Sequence, residues 1–141
     1  MSEGTTARLV DLLRERARML VVRLDADAAV LSRAIGDVLV IVAQFADDCP
    51  GLQATQSHLV SDYPQTLRVL VTGEPHASTL ADEGADEAQV RLLRELGMAT
   101  LLMLPLEVTG ERWGLVEVYR RDVRPFDDAD VSVARELARI G

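Results

Sequence analysis

Lysine is missing from this chain and cysteine nearly so. All fifteen positively charged residues are arginines, and they are spread along the sequence. That spread fits a compositional bias better than an array of phosphate-binding forks, which would cluster them. Cys49 is the only cysteine, which excludes an internal disulfide framework and leads us to expect a reducing, cytoplasmic compartment. Aromatic residues are 4% of the chain, so a core has to come from Leu, Val, Ala and Ile. No apolar run approaches the ~20 residues of a membrane span, and the chain does not open with the regions of a secretory signal. Positive charge is also in deficit. A net charge of −8 argues against nucleic-acid binding and against docking on anionic lipid. Gly-x-Ser-x-Gly, phosphate-loop and His-Glu-x-x-His motifs are absent too, so no catalytic signature is present and no enzyme is expected.

What is present is a single globular domain's worth of sequence, 141 residues with 48% apolar content. Leu9, Leu12, Leu13, Ala17, Leu20 and Val21 recur at helical spacing behind a cap at Thr5 or Thr6. Residues 28–35 and 38–45 read as strands joined by a turn at Gly36-Asp37. After a polar, irregular stretch, Asp62 is expected to cap a helix over residues 63–72, with Pro64 in its first turn, Leu67, Leu70 and Val71 on its apolar face and Gly73 as its stop. A short strand follows within residues 74–80. Asp86 and Gln89 have the spacing of a capping box for a helix whose apolar face is Val90, Leu93 and Leu96 and whose stop is Gly97.

The closing third carries the strongest pattern. Two apolar runs flank the Thr109-Gly110 turn and make a hairpin. Pro105 in the first run predicts an edge strand or a bulge, and Gly114 in the second predicts a close backbone approach. Asp127 and Asp130 cap the last helix, with Phe126 and Val131 spaced as a hydrophobic staple. Hairpins at both ends with helices between them give an α+β class.

The order Met103-Leu104-Pro105-Leu106, turn, Trp113-Gly114-Leu115-Val116-Glu117-Val118, then Pro125-Phe126 and Asp130 resembles the closing half of a GAF domain. Tyr63-Pro64 followed by Gly73-Glu74-Pro75 extends the resemblance over most of the chain, about residues 9–138 of a single domain spanning 1–141. The resemblance implies a central antiparallel sheet of five or six strands. The first and last helices lie on one face, and the two middle helices and the long loop roof a ligand pocket on the other. It also implies a non-catalytic sensory or regulatory domain. Such a domain binds a small cytosolic ligand and relays a signal through its terminal helices to an output domain in the same or a neighbouring chain. The chain stops just after the last helix, where family members commonly continue, so an input domain cut from a larger signalling protein is expected.

Four residues are candidates for the pocket. Cys49 could carry a linear tetrapyrrole or act as a redox sensor, but Asp47 and Asp48 beside it disfavour a thiolate, and only an Asp-x-Cys fragment of an attachment motif is present. His58 and His76 are conceivable haem ligands, though neither has a partner at metal-ligand spacing, so no metal site is expected. Glu117 shares a strand face with Leu115 and Tyr119 and is expected to be half buried, accepting hydrogen bonds from a ligand amine or hydroxyl or, as the favoured reading, pairing with Arg33. The methionine sulfoxide reductases of the family need paired cysteines, which a single Cys49 cannot supply. The cyclic-nucleotide signature of the family is echoed only by Arg120, Arg121 and residues 126–128. No cofactor is therefore assigned. The competing reading is a ligand-free dimerisation scaffold. A homodimer is expected through the first and last helices: one apolar stripe, with Leu9, Leu13, Val131 and Leu137, covers the sheet, and the remainder, Met19, Val22, Val133 and Ile140, meets a partner helix.

Overall fold

Apolar residues at intervals of three and four make the first helix one-sided. In α1 (Glu3–Arg23), Leu13, Ala17, Leu20 and Val21 turn inward. The helix already includes Thr5 and Thr6, so neither is its cap. The computed structural model describes residues 3–46 and 58–141, with side chains from residue 8 to 46 and from 59 onward. Cys49 lies outside the described residues.

β1 (Ala28–Ile35) and β2 (Val38–Ala46) pair about Gly36, whose φ of +59° is one that glycine adopts without penalty. β3 (His58–Leu59) and a 3₁₀ turn (Val60–Asp62) lead into α2 (Pro64–Thr72). Then follow β4 (His76–Thr79), α3 (Glu87–Leu96), β5 (Thr100–Val108), β6 (Glu111–Arg120), α4 (Asp128–Leu137) and β7 (Arg139–Ile140). The strands form one sheet in the order β3-β2-β1-β6-β5-β4, every neighbour antiparallel, as the α+β reading requires. The unexpected addition is β7, which pairs in parallel with the end of β5 and makes the sheet mixed. The Glu107 and Thr109 amides donate to the Ala138 and Ile140 carbonyls at 2.9 and 2.7 Å.

Alternation along the strands sends two sets of side chains to opposite faces. Ala29, Leu31, Leu102, Leu104, Leu106, Val116 and Val118 pack against α1 and α4. Ala28, Val30, Leu101, Met103, Leu115 and Tyr119 pack under α2 and α3. For the helices this is the layering implied by the family resemblance; the part of the long loop at 47–57 lies outside the described residues. Pro105 is not on an edge strand, since β5 has β6 on one side and β4 and β7 on the other. It lies between the stretches paired to β4 and β7, and the bulge comes just after it, at Leu106/Glu107. Gly114 meets β1 so closely that a Cβ there would stand 1.8 Å from the Ser32 carbonyl oxygen.

Three helix details differ from the sequence reading. Tyr63, not Asp62, occupies the cap position of α2, because Asp62 ends the preceding 3₁₀ turn. α2 is also rotated. Thr66 and Val69 face the sheet while Leu67 and Val71 are 47% and 66% exposed. Asp86 does cap α3 through the Ala88 amide, but Gln89 does not return the bond; it is drawn into the buried layer beneath. α4 keeps both halves of the Asp127–Asp130 capping box, with Phe126 buried beside Val131.

Candidate functional site

One cross-strand row on the roofed face holds the polar residues. His76, Met103, Glu117 and Val30 are register partners across β4, β5, β6 and β1. α2 and α3 lower Thr66 and Gln89 onto this row. The Thr66 hydroxyl lies 3.4 Å from the Met103 sulfur and the Gln89 amide nitrogen 3.9 Å from it. The Gln89 carbonyl oxygen accepts from the Ser78 hydroxyl at 3.2 Å and, with Nε2 protonated, from His76 at 3.3 Å. His76 is therefore a half-buried link between sheet and roof.

Glu117 is more deeply placed than expected, only 6% exposed. Its partner is not Arg33. The Tyr119 hydroxyl donates to Glu117 Oε2 at 2.5 Å, while Arg33 lies on the exposed side, stacked 5.1 Å from the Trp113 ring. Burial pushes the Glu117 carboxyl up to about 6, against the downward pull of the Tyr119 hydrogen bond. Burial, and then the charge and hydrogen bond of Glu117, push the Tyr119 phenol well above its ordinary value.

Tyr63 stands in front of this pair. Its phenol is raised by burial and then by Glu95, Asp62 and Glu117, with Arg91 opposing. Tyr63 also lines a cavity of about 300 Å³ with Asp62, Ala88, Arg91, Leu92 and Glu95. Sequence reading missed Tyr63, Gln89 and the Arg91/Glu95 rim. The Tyr63-Pro64 pair signals a helix start and the family resemblance but not a cavity wall, and capping-box spacing hides the other role of Gln89.

Of the four sequence candidates, the structure brings His76 and Glu117 into this layer. His58 is described only by its backbone, opposite Leu39, and Cys49 is outside the described residues. Among the described residues no three of His, Cys, Asp and Glu are grouped as a metal site would need. No helix among them is long and apolar enough to cross a membrane.

The sequence matches the GAF domain family over residues 8–140, and the chain belongs to that family, whose members are generally sensory, non-catalytic modules. The fold is similar to the PixJ GAF domain of Thermosynechococcus elongatus in its blue-light absorbing form. The two are 16% identical, with a TM-score of 0.82, over 99% of this chain and 85% of that one. It is also similar to the phycoerythrobilin-bound GAF domain of a cyanobacterial phytochrome, at 16% identity and TM-score 0.77 over 92% and 83%. The GAF domain/HD domain protein of Geobacter sulfurreducens gives 17% and 0.74 over 92% and 86%. No curated protein matches the chain in sequence.

Proposed function

We propose that this chain is a non-catalytic, cytoplasmic sensory domain. It binds a small molecule at the α2–α3 roof and passes its state through α1 and α4 to an output domain. The observation that supports this reading most is the buried Glu117–Tyr119 pair behind Tyr63. A carboxylate is costly to bury, and the charge of this one acts on Tyr63, which lines the cavity. The bilin named for one structural neighbour is not carried over. The space between sheet and roof is filled by Leu92, Leu93, Leu96, Leu101 and Met103, and the cavity has a charged rim. Its volume is at the low end of the ~300–1,000 Å³ usual for small-molecule pockets.

That same filling favours a second reading, a scaffold that binds nothing. Native mass spectrometry of freshly purified protein separates the two. A retained small molecule released on denaturation supports the sensor. A bare mass in every preparation, with no thermal shift across a metabolite panel, supports the scaffold.

A further inference from the structure

The rim of the Tyr63 cavity is chemically mixed. Asp62 and Glu95 bring carboxylates, Arg91 a guanidinium, and Leu92, Ala88 and the Tyr63 ring an apolar wall. Arg91 and Glu95 are one helical turn apart on α3, yet the pair does not close on itself. Among the described residues the side chains of Arg91, Glu95 and Asp62 make no hydrogen bond or ion pair. Other neighbouring opposite charges on this surface do close on each other, as in Glu15–Arg18, Asp25–Arg124 and Glu107–Arg139. Three unmatched charges of both signs around one cavity are complementary to a molecule that carries both signs itself. The carboxylates near Tyr63 outweigh Arg91 in their effect on its phenol, so the positive end of such a molecule is drawn inward.

We propose that the cavity binds a small zwitterion of amino-acid size, its ammonium group between Asp62 and Glu95 and its carboxylate on Arg91, with an uncharged side chain against Leu92 and Tyr63. This assignment rests on the sensory reading above and gives it a ligand class. A guanidinium takes a carboxylate in two parallel hydrogen bonds, and an aromatic face beside carboxylates suits an ammonium group. Both ends are needed, because each separate contact is at a solvated rim where screening weakens it.

Calorimetric titration of the purified protein at low ionic strength with L-norleucine, pentylamine and hexanoate tests this. The three share an alkyl chain and differ only in which charges they carry. Norleucine is expected to bind at least about tenfold more tightly than either fragment, a difference of ~1.4 kcal/mol. Arg91→Gln should erase the advantage of norleucine over pentylamine. Glu95→Gln should weaken norleucine and pentylamine together. Both residues are exposed, so the fold is not at stake. Pentylamine or hexanoate binding as well as norleucine, or variants that bind norleucine like the parent, would overturn the zwitterion. A molecule retained in native mass spectra that lacks one of the two charges would overturn it too while leaving the sensory reading intact.

Discussion

Glu117 sets a pH dependence that a surface carboxylate would not. Its folded-state value is about 6 against 4.5 for the free group. Below about pH 4.5 it is neutral in both states and costs nothing; as the pH rises through 6 the folded state must hold a buried charge, and stability is lost. Glu117→Gln keeps an acceptor for Tyr119 and removes the charge. It should stabilise the protein by on the order of 2 kcal/mol at pH 8 and by nothing below pH 4.5. Urea midpoints of parent and variant across that range check it, and parallel curves would show that Glu117 is not desolvated. Tyr119→Phe removes the one bond that lowers the carboxyl, so the apparent titration should move to higher pH. Gly114 is the other residue with no freedom. Alanine there would drive its Cβ into the Ser32 carbonyl, and a loss of more than about 4 kcal/mol, or no folded protein, is expected in thermal melts.

At the scale of elements, α4 is held at its start by more than its cap. Arg120, buried at the end of β6, donates to the carbonyls of Leu24, Asp25, Arg124 and Pro125, and its guanidinium stacks 4.0 Å from the Phe126 ring. It also reaches Asp130 of the capping box at 3.5 Å. Asp127→Ala should cost about 1 kcal/mol. Phe126→Ala should cost roughly 3 kcal/mol, since burial and the ring under Arg120 are lost together. Arg120→Met should speed hydrogen exchange both at the end of α1 and in the first turn of α4, because carbonyls at both places lose their donor. Exchange confined to one of the two would show that Arg120 does not join them. Elements whose signals are local were legible in the sequence. The Gly36-Asp37 hairpin, the Gly73 and Gly97 stops and the Asp127 box are where turn and cap chemistry put them. What failed depends on neighbours distant in sequence. α2 shows the sheet Thr66 and Val69 because Met103 and the roofed layer receive them, and the Leu67/Val71 stripe gives no hint of it. Gln89 serves Ser78 and His76 instead of its own helix, and Arg33 meets Trp113 instead of Glu117. The cavity rim is hidden for the same reason: Tyr63 and Glu95 lie far apart in sequence and meet only as walls of one cavity.

For the whole molecule, the proposed homodimer through α1 and α4 would use Met19, Val22 and Val133 but not Ile140. Leu12 and Val22 on α1 are 48% and 64% exposed, and Met19 and Val133 are half buried. Leu13 and Leu137 lie in the core, where the sheet-facing stripe puts them, and Ile140, expected to face a partner, is buried there too. We expect a dimer by sedimentation at tens of micromolar, roughly the range for a moderate interface. Leu12→Glu with Val22→Glu should convert it to a monomer that melts at an unchanged temperature. A monomeric parent would remove the dimer from the proposal. The short β7 bears on how load would travel through this body. A pull on the backbone at Gly141 meets the Arg139–Ile140 ladder to β5 before it meets α4, and the Arg16 guanidinium, bonded to the Glu136, Leu137 and Arg139 carbonyls, braces the same corner against α1. Tension at Gly141 is therefore delivered first to the Glu107–Val108 end of β5, the strand that carries Met103, and α4 is loaded only after β7 has peeled from it.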